Sequence, residues 1–274
     1  MRRVLHGLRQ LVILLLLVVP IAVFGLYAFS TAWFYPDVLP RTWTAVPLLR
    51  QLNDPGTARA LLQSTWIGLV VSLLALVVGY PAGRALGMHT FRGKELVYLL
   101  FFLPTVVPPV ATGIGLNILF LRLDLAGTTL GVALVHLVPV LPYVIFTLAG
   151  VFAQYDPHYE YQARVLGAGS VRIFWSVTLP FVLPGVVVAT LFAFLISWSQ
   201  YLLTLLIGGG RIITLPILLF ATLSGGNPTT ISALSLLFVA PLVMILAVTS
   251  RFLATVGGRG SVRRRMEDGG ALSV

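Results

Sequence analysis

Few residues in this chain have the type and spacing for chemistry. The segment GMHTFRGKE, Gly87 to Glu95, comes nearest to a phosphate-binding loop. Such a loop places four residues between its glycines and then Lys-Ser/Thr, so that backbone amides and the lysine converge on phosphate. Here five residues separate Gly87 from Gly93, and Lys94 is followed by Glu95. No soluble strand precedes it, so it reads as a basic turn between two apolar stretches. No nucleophile–base arrangement and no metal-ligand spacing is present. With no cysteine, the chain has no thiolate, no disulfide and no Cys metal ligand. No catalytic residue, no metal ligand and no cofactor is expected in this chain.

The remaining polar groups sit inside apolar sequence. SWSQYLLT carries Ser197, Trp198, Ser199, Gln200, Tyr201 and Thr204. Asn117 and His136 are isolated in two other apolar runs. Such groups line a path for a polar solute or hydrogen-bond neighbouring helices, the latter worth on the order of 1 kcal/mol each. The eight acidic residues are Asp37, Asp54, Glu95, Asp124, Asp156, Glu160, Glu267 and Asp268, and all fall outside the apolar runs. A proton-driven carrier usually holds a carboxylate or a basic partner within the membrane. His136 is the one ionisable candidate, and a lone histidine reads first as a hydrogen-bonded packing residue. A channel, a carrier coupled to Na⁺ through backbone carbonyls and a membrane scaffold remain as alternatives.

The elements that position these groups follow from composition. Only 9% of residues are charged and 58% are hydrophobic, too apolar to cover a soluble surface. The chain therefore reads as an all-α integral membrane protein in a lipid bilayer. The net charge of +10 reflects basic loops on one side of a membrane and not a nucleic-acid partner. Six helices are expected near 11–31, 61–83, 97–121, 129–153, 180–206 and 230–252. The run IITLPILLFATL, 12 residues from Ile212, is too short to cross and is expected at the interface or re-entrant. The N-terminal apolar run extends to about Phe29, beyond a usual signal-peptide core, and reads as a retained first helix. With the N-terminus cytoplasmic, thirteen basic residues fall inside and five outside, placing both termini in the cytoplasm. The organisation is then 1–60 for the first helix and an outer loop, 61–256 for a five-helix core, and 257–274 for a flexible tail.

Between the fourth and fifth helices, at 156–180, lies a polar elbow. Asp156-Pro157 is a helix start, since Asp accepts from free amides and Pro suits the first helical position. HYEYQARVL can form about three turns, with Tyr159, Ala163 and Leu166 on one face. Gly167 and Gly169 end or bend it, and Ser170 can cap a second short helix, VRIFWSVTL, leading to Pro180. A helix–bend–helix of this kind suits either a groove on a partner or the headgroup layer.

The spacing of the elbow resembles that of permease subunits of binding-protein-dependent ABC importers. Their loop reads Glu-Ala-Ala, three residues, Gly, nine residues, Ile-x-Leu-Pro. Ala163 takes the third position, Gly167 the glycine, and Val177–Pro180 the exit after nine residues. Leu166, Ala168 and Phe174 match the extended form. Two positions depart: Tyr161 stands where Glu is usual and Gln162 where Ala is usual, with Glu160 one residue early. The similarity runs from about Leu61 to Leu253. It implies a type I importer permease fold, with Glu160, Tyr161, Ala163, Leu166, Gly167, Ala168, Phe174, Leu179 and Pro180 in a loop that docks an ATPase subunit. It further implies that ATP and Mg bind in that ATPase, that a second permease, identical or paralogous, completes the pathway, and that an extracytoplasmic solute-binding protein delivers the cargo. Ser197, Trp198, Ser199, Gln200, Tyr201, Thr204 and Asn117 are the pathway candidates. Pro108–Val110, the fifth helix and Thr214–Pro216 are most similar to the polyamine (spermidine/putrescine) branch. That branch often has acidic residues where Ser199 and Gln200 stand here. Trp198 and Tyr201 could still hold an amine by cation–π contact. Related permeases carry thiamine, ferric iron and phosphonates.

Overall fold

The computed structural model describes residues 2–31, 33 and 36–270. Among the described residues the chain is helical, with one isolated β-bridge between Ser30 and Trp43. It divides into two compact units, residues 1–64 with 213–242, and residues 65–212 with 243–274.

The first unit holds α1 (Arg2–Ala28), α2 (Val46–Asn53), the first part of α3 (Pro55–Met88), the short α11 (Leu215–Leu223) and the first part of α12 (Pro228–Gly270). Side chains fix its helix starts. Asp54 Oδ2 accepts from the Thr57 amide at 2.7 Å, and Asn227 Oδ1 accepts from the amides of Thr229 and Thr230 at 3.1 and 3.2 Å. α11 has nine residues, too few to cross, as its length in sequence required. Its first amide, that of Leu215, donates to the buried Ser64 hydroxyl at 2.7 Å. Of the flexible tail expected at 257–274, residues 257–270 continue α12, and 271–274 lie outside the described residues.

The second unit is built around α6 (Thr129–Phe152), a strongly apolar helix with buried residues from Gly131 to Phe152 and an open side at Tyr143 and Gly150. The later half of α3 lies against it through Gly79, Gly83 and Gly87, one turn apart. A Cβ on any of the three would stand 2.6 Å from an atom of α6, so the glycines let the helices meet almost backbone to backbone. α9 (Leu179–Trp198) packs on the other side, with Gly185 against the Val151 side chain.

Two expected spans are broken. The stretch 97–121 is two helices, α4 (Lys94–Val106) and α5 (Pro109–Arg122), bent by 100°. The cause is Pro108-Pro109: each proline pushes the residue before it out of helical geometry, and Val107 and Pro108 have ψ of 128° and 131°. The stretch 180–206 is also two helices, α9 and α10 (Leu202–Gly208), parted at residues 199–201. Among the described residues four helices are long and apolar enough to cross a membrane, or five if the bent pair is one span.

Candidate functional site

The elbow at 156–180 forms α7 (His158–Val165) and α8 (Ser170–Ile173). Asp156 Oδ1 accepts from the His158 amide at 2.9 Å and meets His158 Nδ1 at 2.6 Å. Those hydrogen bonds, the backbone one foremost, hold the Asp156 carboxyl below its ordinary pKa. α7 closes with Ala168 N donating to Ala163 O at 3.0 Å and Gly167 N to Arg164 O at 2.9 Å. This is a Schellman closure, and it needs the positive φ of Gly167, +84°. Ser170 does not cap the second helix: it is the first helical residue, and Gly169 holds the cap position with no side-chain bond. Nor does the helix restart at Pro180. α8 runs through a π turn, Phe174–Thr178, into α9 as one helical stretch. A proline ring collides with the carbonyl four residues back in a regular α-helix. The wider π turn ahead of Pro180, with Leu179 N bonded to Phe174 O, relieves that collision.

The two sides of α7 differ. Tyr159, Tyr161, Val165 and Leu166 are exposed, the last two at 87% and 86%, and Ala163 is half-buried. Gln162 and Gly167 are exposed; Ala168, Phe174 and Leu179 are half-buried, and Pro180 is exposed. Glu160 points the other way and is only 7% exposed. Arg84 Nη2 donates to both of its carboxylate oxygens at 2.9 Å, and Thr178 Oγ1 donates to Oε1 at 2.9 Å. Burial pushes the Glu160 carboxyl up, but the bonds from Arg84 and Thr178 and the Arg84 charge outweigh it, leaving the pKa below its ordinary value. Tyr155 stands 3.4 Å from Thr178 Oγ1.

The polar groups of the fifth stretch separate into two sets. Ser197, Trp198 and Thr204 are buried among the chain's own side chains. His136 joins two of them: Nδ1 lies 2.9 Å from Ser197 Oγ, and Nε2 lies 2.9 Å from Thr204 Oγ1. Thr204 spends its own proton on Gln200 O, at 2.6 Å. It can therefore only accept from His136, so Nε2 carries the hydrogen; in the neutral ring Nδ1 accepts from Ser197. Trp198 stacks on Phe194 with centroids 5.6 Å apart. Asn117 Nδ2 donates to Leu206 O at 2.8 Å, tying α5 to α10. Ser199 is exposed, and Gln200 and Tyr201 are half-buried at the break between α9 and α10.

Residues 75–259 match the family described as the binding-protein-dependent transport system inner membrane component. The chain belongs to this family. Its relatives include the molybdenum transport system permease protein ModB of Mycobacterium tuberculosis, 30% identical over 77% of this chain and 84% of that protein. The spermidine/putrescine permease PotC of Haemophilus influenzae is 28% identical over 74% and 79%. The putative 2-aminoethylphosphonate permease PhnV of Salmonella typhimurium is 27% identical over 87% and 89%. Among solved structures, a bacterial ABC transporter that imports alginate superposes with a TM-score of 0.73 over 91% of this chain and 95% of that chain, at 16% identity. The MetNI methionine transporter in an inward-facing form gives 0.58 over 73% and 95%, at 17% identity.

The chain is thus a multi-pass inner-membrane permease subunit of an ABC importer, a transport component and not itself an enzyme. In this permease His136 is the packing residue that its isolation in sequence suggested. Interhelical hydrogen bonds in membranes average about 0.6 kcal/mol. His136→Leu loses two and is expected to cost about 1 kcal/mol, read as a lower thermal midpoint in detergent, whereas His136→Gln keeps a donor and an acceptor and stays near the parent. A permease whose uptake required a proton gradient and vanished in His136→Gln would restore the relay reading. Sequence reasoning missed two features of the site. The Gly79, Gly83, Gly87 repeat was legible as a close-packing motif. Arg84 was legible only as one more inside charge, because nothing local marks a partner 76 residues away.

Proposed function

We propose that this permease subunit forms one half of a solute pathway that opens alternately to the two sides of the membrane. An ATPase subunit docked on residues 156–180 drives the cycle. The observation that carries this is the two-sidedness of α7, with an exposed face of Tyr159, Tyr161, Gln162, Arg164 and Val165 fixed by the closure at Gly167 and a buried face held by Glu160. Six spans result when Arg2–Ala28 is added to the four apolar helices and the bent α4–α5 pair. Both termini and the loop face the cytoplasm, on the excess of thirteen basic residues over five. ATP and Mg are held by the ATPase, a second permease completes the pathway, and an extracytoplasmic binding protein presents the cargo. ATP binding closes the ATPase dimer and moves the docked loops, a two-state element biased from another subunit.

The cargo we favour is a small oxyanion of the molybdate or phosphonate kind. Glu95, in the first turn of α4, stands at a span's end and no acidic residue lies deeper, so a polyamine dication would cross the apolar interior beside no carboxylate. Gln200, at the break between α9 and α10, carries amide donors that suit an oxyanion. Polyamine is the second reading, carried by Pro108–Val110 and Thr214–Pro216 and by the Tyr201 ring. The test is uptake into proteoliposomes holding the permease with its cognate ATPase, second permease and binding protein. ATP-dependent uptake of labelled molybdate and not spermidine is expected. Spermidine uptake alone would reverse the choice of cargo, and transport by the permease without the ATPase would overturn the importer mechanism.

A further inference from the structure

Arg84, Glu160 and Thr178 come from three elements that the mechanism must move together. Arg84 is on α3, next to Gly83, where the helix meets α6 too closely to slide. A Cβ at Gly83 would lie 2.6 Å from Leu148 Cβ and 3.1 Å from the Ala149 nitrogen. Thr178 is the last residue of the π turn and runs directly into α9. Glu160 is the only acidic residue of α7 and faces away from the exposed side. Its carboxylate accepts from both others at 2.9 Å, and aromatic rings flank Arg84: it lies 5.9 Å from the Phe152 centroid, and Tyr80 meets Phe152 and Phe174 edge-on. Charge-assisted bonds in such a setting are the strong ones, and removing one partner leaves the other's charge half-buried.

We propose that Arg84, Glu160 and Thr178 form a clasp that locks the docked loop to α3 and α9, so that a push on α7 becomes a movement of the spans. These are positioning residues and touch neither ATP nor cargo. The π turn explains why the clasp is needed. Without it, Phe174–Thr178 is the weak point at which α7 and α8 could swing while α9 stayed still. The inference rests on the proposed docking of an ATPase at this loop. It also reassigns Glu160: the position one residue early in the loop pattern serves inside the chain, while Tyr161 and Leu166 present the outer face.

The chain has no cysteine, so one reporter thiol can be introduced cleanly. Gln200→Cys in the full complex is labelled by a maleimide with and without trapped ATP, alongside ATP hydrolysis and ATPase co-purification. In the parent the labelling rate is expected to change with nucleotide. With Glu160→Ala that change is expected to shrink about tenfold while the ATPase stays bound and hydrolyses ATP. Thr178→Val weakens the change in the same direction, and the exchange Arg84→Glu with Glu160→Arg recovers it. A nucleotide response in Glu160→Ala equal to the parent's overturns the clasp alone. Loss of the ATPase from Glu160→Ala and Thr178→Val alike also overturns it, because Glu160 would then serve docking. A parent complex with no response overturns the alternating-access reading and the clasp with it.

Discussion

Gly167→Val is expected to strip the ATPase from the complex and reduce uptake to background while the permease stays folded in the membrane. The reasoning begins with one dihedral. Gly167 has φ of +84°, and a β-branched residue there is strained. A Cβ at this position meets nothing within 4 Å, so no packing is disturbed and the whole effect is on the backbone. Left-handed geometry costs a residue with a Cβ about 1–2 kcal/mol, and the chain escapes by opening the bonds from Ala168 to Ala163 and Gly167 to Arg164. The exposed faces of α7 and α8 then lose their fixed angle. The proposed docking surface presents Tyr161, Leu166, Val171 and Trp175 together, and all four are exposed in the chain alone. Co-purified ATPase should fall at least tenfold, and the thermal midpoint of the isolated permease should move by no more than a few degrees. Gly167→Ala, with less strain, should be intermediate. Full co-purification and uptake in Gly167→Val would remove the loop from the docking site.

What sequence made legible follows the range of the interaction. The apolar runs, the loop and its bend are encoded within a few residues, so Asp156 and Gly167 could be read directly. Breaks within spans are less visible: Pro108-Pro109 marks a kink in sequence, yet a 100° turn depends on neighbours that accept the freed carbonyls. The break at residues 199–201 has no proline and left no local sign. The polar residues around it were ambiguous because a serine in a span looks the same whether it faces cargo or histidine. Only the fold could pair Ser197 and Thr204 with His136 and leave Ser199 outside. Glu160 shows the limit of pattern matching. The loop pattern stressed the residue after it, whereas burial against Arg84 is a property of the tertiary arrangement.

The second large effect is expected at Gly87, where the obstacle is backbone. A Cβ there would lie 2.6 Å from the Ala149 carbonyl oxygen and from Phe152 Cβ, and 3.0 Å from the Ala153 nitrogen. No rotamer change clears a carbonyl, so Gly87→Val must push α3 away from α6, the most enclosed helix of its unit. Overpacking a dense interior costs about 1–3 kcal/mol and occasionally more; a backbone collision flanked by the Gly83 and Gly79 contacts belongs at the upper end. Separation also carries Arg84 away from the Phe152 ring. The permease should accumulate at a small fraction of the parent level, and what remains should unfold at a much lower temperature in detergent. Gly79→Ala should be milder, because its nearest obstacle is the Val144 side chain. Gly150→Val, on the open side of α6 with nothing within 4 Å, should be tolerated. Equal losses at Gly87 and Gly150 would mean that glycine content, and not the close approach of α3 to α6, sets the stability of this bundle.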